Sequence, residues 1–115
     1  MATADTSRKP NVIYVEMWWW EDLERMVVVD NYLNKTRHNL EVNPKVTLVA
    51  WDREHSKSFQ IKCSSEIQEK GPLYMKGYET ARERKHPFAC KVVVVLHIEA
   101  VYKASAGDDA GERIL

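Results

Sequence analysis

The run Lys35-Thr36-Arg37-His38 places two fixed cations, a hydroxyl and an imidazole side by side. Asn34, a good N-cap residue, precedes the run, and Asn43-Pro44 is a good stop signal behind it. A helix starting here carries Lys35 and Arg37 in its first turn, at the positive end of the backbone dipole. Each cation in that position costs roughly 0.3–1 kcal/mol. A hydroxyl between them and unpaired backbone N–H groups complete a coherent anion site, with phosphate the obvious anion. The competing reading, on spacing alone, is a solvated basic helix end that holds no ligand.

The segment Asp30-Asn31-Tyr32 is delivered to the same place by the strand before the helix. Polar groups at a strand end, beside a phosphate-type pocket, could hydrogen-bond a heteroaromatic ring. Asp and Asn also favour ordinary turns, which is the alternative. Other chemistry is thinly supported. His38, His55, His86 and His97 are scattered, with no metal-ligand spacing. Cys63 and Cys90 have no CxxC partner and read as two reduced thiols. There is no Gly-rich phosphate loop, and Met17, Met26 and Met75 read as packing residues.

The elements that must position these residues follow from periodicity. Asn11–Met17 is rich in β-branched and aromatic residues and reads as a strand, with Met26–Val29 as the second arm of a hairpin. A short helix covers Lys35–Val42, with Leu33 and Leu40 as its apolar contacts. Lys45–Trp51 reads as a strand with both faces at least half buried. Ser58–Ile67 alternates with period two, the strand signature. Gly71-Pro72 opens a second helix over Leu73–Arg84, with Pro at its first position. Phe88–Tyr102 is the strongest strand in the chain, Met1–Ala4 reads as a strand stub, and the tail beyond Ala104 as peripheral. Short connections favour antiparallel pairing, and six such strands with two short helices predict a small closed barrel, in which closure removes the exposed edges.

Composition narrows the classes. The chain has 115 residues, enough for one domain, with 17 basic against 17 acidic side chains. Zero net charge gives no electrostatic case for nucleic-acid binding. The apolar run Val92–Leu96 is too short to span a bilayer, and Met1–Pro10 has no signal-peptide core, so no membrane association and a cytoplasmic location are expected. Trp18, Trp19 and Trp20 are consecutive and cannot all point to one face of a strand. At least one should meet a partner, a ligand or another subunit. Because a chain this small buries a modest share of its surface, a homodimer is expected, burying part of Trp18–Trp20 or the long C-terminal strand.

Asp30-Asn31-Tyr32-Leu33-Asn34-Lys35-Thr36, followed by Asn39-Leu40 and Asn43-Pro44, resembles the pattern of the pyridoxamine 5'-phosphate oxidase-like FMN-binding split-barrel proteins. The resemblance extends through Ala2-Thr3-Ala4-Asp5, Lys9-Pro10-Asn11-Val12, Val49-Ala50-Trp51-Asp52, Gln60-Ile61-Lys62, Glu66-Ile67 and Gly71-Pro72-Leu73-Tyr74, nearly the whole chain. It implies that residues 1–115 form a single domain, a mainly β, six-stranded antiparallel split barrel, without the N-terminal helix common in the family. It implies a homodimer with FMN at the interface. Lys35 and Thr36 would hold the phosphate, Asp30 and Asn31 would lie along the ribityl chain and ring edge, and Tyr14, Val15 and Glu16 would back the isoalloxazine. Arg8 and Cys63 stand where the family often has Gly, and the triple tryptophan where most members carry a longer, more polar hairpin.

The resemblance implies an FMN-dependent oxidoreductase or electron carrier whose donor and acceptor are unidentified small molecules. The tail Gly111-Glu112-Arg113-Ile114-Leu115 lacks the Arg- and His-bearing segment of the true pyridoxamine phosphate oxidases, so that activity is not expected. No general acid or base is evident, and a flavin carries its own hydride and electron chemistry. The alternatives are a non-catalytic flavin-binding or interaction module and a deazaflavin-dependent reductase on the same barrel.

Overall fold

Strand residues that bury both faces form the centre of the molecule. The computed structural model describes residues 1–115. The elements are β1 (Ala2–Ala4), β2 (Pro10–Val12), β3 (Trp18–Trp20), β4 (Arg25–Asp30), α1 (Lys35–Val42), β5 (Lys45–Asp52), β6 (Lys57–Gln68), α2 (Pro72–Glu83) and β7 (Val92–Lys103). All strands join one antiparallel sheet in the order β2-β1-β5-β6-β7-β4-β3. The fold is the mainly β split barrel with two helices that the resemblance implies, but the closure expected from the strands is corrected: β2 and β3 do not pair and remain the two edges of the sheet.

The apolar runs of β4 and β7 are paired, Met26 with Leu96 and Val28 with Val94. Met26, Val28, Val94 and Leu96 face one core with Leu40 of α1, Val46 and Leu48 of β5, and Ile61 and Cys63 of β6. Val27, Val29, Val93 and Val95 face the other, under Ala81 of α2 and beside Met17 and Cys90. A continuous apolar run is what a strand covered on both faces requires. Between Lys62 and Cys63 the β6–β7 register shifts, so that Lys62 pairs Ala100 and Cys63 pairs Ile98. This bulge adds bend and twist to the longest strand pair.

Four further expectations are corrected. The sheet has seven strands instead of six, because Trp18–Trp20 is itself a strand, pairing Trp18 with Val28 and Trp20 with Met26. The strand expected at Asn11–Met17 ends at Val12. Residues 13–17 connect the two outermost strands of the sheet, and β4 already has β3 and β7 as partners, so this segment has no ladder to join. Its backbone is hydrogen-bonded only at its ends, by Ile13 N–H to Met1 O at 3.0 Å, the Met1 ammonium to Ile13 O at 2.8 Å, and Val29 N–H to Met17 O at 3.0 Å. On β5, Val46 and Leu48 are buried, but Val49 and Trp51 are about 70% exposed, so the second face is open. Finally, β7 starts at Val92 instead of Phe88. The Asn31 side chain donates to Phe88 O at 3.0 Å and Ala89 O at 3.3 Å, holding that stretch as a loop.

Candidate functional site

The start of α1 contains a carboxylate that the sequence places outside the helix. Asn34 occupies the N-cap position with a positive φ of 40° and makes no side-chain cap bond. Asp30, at the end of β4, closes the turn that leads into the helix. Its Oδ1 accepts from Leu33 N–H at 2.9 Å, while Oδ2 lies 3.3 Å from Arg37 Nη1, and the residue is 1% exposed. A buried acid therefore compensates the cation in the first turn. Arg37 also lies 3.4 Å from Glu41 and 3.7 Å from Glu69, yet its buried Nε makes no hydrogen bond. Asp30, Asn34, Arg37, His38, Glu41 and Lys91 line a wholly polar hollow of about 230 Å³.

Lys35 and Thr36 face different surroundings. Lys35 is exposed and takes part in none of the molecule's ion pairs. Thr36 is fully buried, its N–H donating to Leu33 O at 2.9 Å and its hydroxyl accepting from the Asn11 amide at 3.0 Å. In this protomer the Thr36 hydroxyl thus joins α1 to β2, and Lys35 alone of the two presents a polar end group to solvent.

Tyr14, Val15, Glu16 and Asn31 do come together. With Tyr32, Leu33 and the floor of Val28 and Val29, they line a hollow of about 110 Å³. Tyr14 and Val15 also line a larger groove of about 740 Å³ along the split of the barrel. Its walls include Val12, Trp18 and Trp20 from the edge strands and Leu48, Val49 and Trp51 from β5, with Thr47 the one polar residue among them. Trp18 and Trp20 are 43% and 48% exposed and line this groove. Trp19 turns the other way, packing on the α2 side, where its indole N–H donates to Glu21 at 2.8 Å and Lys76 Nζ sits 4.8 Å from its ring centroid. The alternation of a strand thus sorts the three tryptophans.

His86 and Phe88 carry no sequence signal for a place at this site. The His86 side chain is 10% exposed, and Nε2 lies 3.6 Å from Glu16 Oε2. The Tyr32 ring lies near both, with centroids 6.3 Å from His86 and 5.3 Å from Phe88. No local spacing links positions 16, 32 and 86, so no sequence signal could have found this group. Cys63 and Cys90 are buried free thiols, and burial pushes each up to about 11, with Glu99 and Asp30 respectively adding to the effect. At neutral pH neither is a nucleophile. His97, on β7, is 43% exposed in its side chain, 3.4 Å from Glu66. No helix is long and apolar enough to cross a membrane.

Comparison with known proteins places this geometry in context. A family model described as pyridoxamine 5'-phosphate oxidase matches residues 1–105. The uncharacterized protein MJ0282 of Methanocaldococcus jannaschii is 31% identical over 116 residues, covering 99% of this chain and 77% of that protein. The crystal structure of HupZ from Group A Streptococcus is 27% identical, with a TM-score of 0.80 over 96% of this chain and 86% of that one. An FMN-binding protein from Syntrophomonas wolfei superimposes with a TM-score of 0.71 over 92% of this chain and 76% of its own, at 15% identity, a likeness of fold alone.

Proposed function

Because the chain belongs to the pyridoxamine 5'-phosphate oxidase family, we propose that it binds FMN as a homodimer and works as a flavin-dependent oxidoreductase or electron carrier. The observation that carries this reading is the arrangement at the start of α1. A free ammonium at Lys35 stands on the first turn of α1, beside an Arg37 guanidinium held among Asp30, Glu41 and Glu69. The preceding strand end, Asp30-Asn31, leads directly into the hollow formed with Tyr14, Val15 and Glu16. Donors for a phosphate and an apolar seat for a ring edge are the two halves of an FMN site, so the residues present fit the group.

In this reading Lys35 supplies the phosphate charge, and Thr36 fixes the helix turn to β2 through Asn11. Asp30 holds the turn closed and Arg37 in place, while Asn31 orders the loop before β7. Tyr14, Val15 and Glu16 back the ring. Bound FMN would supply the hydride and electron chemistry. The exposed apolar face of Val12, Tyr14, Trp18, Trp20, Val49 and Trp51 supports the homodimer, because a monomer seldom leaves so many large apolar residues around one groove.

Titration of the purified protein with FMN and riboflavin, followed by flavin fluorescence, tests the site. Lys35→Ala removes a charge-assisted contact, so FMN affinity should fall by about one to two decades while riboflavin affinity holds. An equal loss for both ligands would place the phosphate elsewhere. A deazaflavin that displaces FMN at equal concentration would move the assignment to the deazaflavin reductases, and tight FMN binding without reduction by any donor would favour the non-catalytic module.

A further inference from the structure

The Glu16 carboxylate is held in an orientation that a solvated surface acid does not need. Glu16 is exposed, in the segment linking β2 to β3, yet two side chains from distant parts of the chain converge on its Oε2. Tyr32 O–H donates to it at 3.4 Å, and His86 Nε2 lies 3.6 Å away. His86 is itself fixed. Its backbone N–H donates to Ala81 O at 3.0 Å, and its Nδ1 lies 2.9 Å from Phe88 O and 3.1 Å from Phe88 N. These contacts hold the ring with Nε2 towards Glu16. The loop bearing His86 and Phe88 is in turn pinned by the Asn31 amide.

Contacts to a carboxylate that is itself 70% exposed contribute little to stability, so folding energy does not explain this arrangement. Its consequence is geometric. Both contacts use Oε2, and Oε1 has no partner in the protein. Glu16 and Tyr32 both line the 110 Å³ hollow, whose remaining walls are mostly apolar. A free acceptor, oriented in advance beside an apolar seat, is what reads a donor on the edge of a planar ring, and orienting it beforehand lowers the ordering cost of binding.

We propose that Glu16 accepts the ring N–H of a planar heteroaromatic ligand seated in this hollow, and that His86 and Tyr32 are its positioning residues. The inference rests on the flavin reading and names the group that selects the ring. Oxidised riboflavin carries one ring N–H, at N3, and 3-methylriboflavin carries none, so the pair isolates this contact without involving the phosphate.

Both ligands are titrated into the wild-type chain and into Glu16→Ala, His86→Gln and the double variant, with each variant's fold checked by thermal melting. The wild type should prefer riboflavin over 3-methylriboflavin by about tenfold, the worth of one charge-assisted hydrogen bond. Glu16→Ala should erase that preference, and His86→Gln should reduce it severalfold. The double variant should match Glu16→Ala, because a positioning residue has no effect once the group it positions is gone. Should His86→Gln fail to fold, Glu16→Ala decides alone, since Glu16 is a surface side chain. A tenfold preference that survives Glu16→Ala, equal wild-type affinity for the two flavins, or additive losses in the double variant overturns the inference while leaving flavin binding intact. A wild-type chain that binds no flavin at all overturns the functional reading as well.

Discussion

Asp30 is the side chain on which the geometry of the α1 turn depends. It is buried, and it serves at once as the acceptor for Leu33 N–H in the turn before the helix and as a counter-charge for Arg37. Replacing it with alanine leaves Leu33 N–H unpaired and removes the buried one of Arg37's three counter-charges. Asp30→Ala should therefore lower unfolding free energy by about 1.5–3 kcal/mol, read from urea denaturation. The two cysteines give a pH prediction at the same scale. Burial raises each thiol from an ordinary value near 9 to about 11 in the folded state, so the unfolded chain loses these protons first. Their contribution to stability is complete below pH 9 and is lost as pH rises from 9 through 11. The double variant Cys63→Ala, Cys90→Ala should show a smaller fall in stability over that interval than the wild type. At pH 8, a thiol reagent should label both cysteines slowly in the native protein and rapidly in denaturant.

At the scale of elements, the approach of α2 to the sheet depends on Gly77. A Cβ there would lie 2.6 Å from Val93 Cγ1, 3.3 Å from Cys90 Sγ and 3.4 Å from Val29 Cγ2. Alanine would favour the isolated helix by about 1 kcal/mol. The overlap falls on a fully buried valine in a central strand, and overpacking of that kind costs about 1–3 kcal/mol. Gly77→Ala should be neutral to about 2 kcal/mol destabilising in spite of the propensity gain, and less so in a Val93→Ala background, where the clash is removed. Chemical denaturation of the four proteins of that cycle measures the coupling.

For the whole molecule, the open groove along the split and the exposed face of β5 form one apolar surface. A stable dimer buries at least about 1,000 Å² in total. Trp51, 68% exposed, stands on that surface and contributes little to the protomer's own core. Trp51→Glu should leave the protomer folded by circular dichroism but shift its mass by light scattering from dimer to monomer at micromolar concentration. FMN affinity should fall with it, since the proposed site lies at the interface. A wild-type chain that is already monomeric at that concentration contradicts the assignment.

The elements with strong local signals were legible in the sequence. The bounds of α1 follow from Asn34 and Asn43-Pro44, the start of α2 from Gly71-Pro72, and the central strands from unbroken β-branched runs. The family, too, was legible, because its motif is a contiguous run from Asp30 to Pro44. The fate of residues 11–20 was decided only in three dimensions. Pattern alone favours a strand at 11–17, but backbone hydrogen bonds need a neighbour, and the one beside β4 is Trp18–Trp20. Tertiary structure also separated Lys35 from Thr36, since a helix turns adjacent side chains about 100° apart and the core claimed one of them. It brought Asp30 under Arg37, and His86 to Glu16 across 70 positions of sequence. Local propensity and periodicity are properties of neighbours along the chain. A buried counter-charge or a clamped carboxylate depends on which distant segments the curled sheet brings side by side.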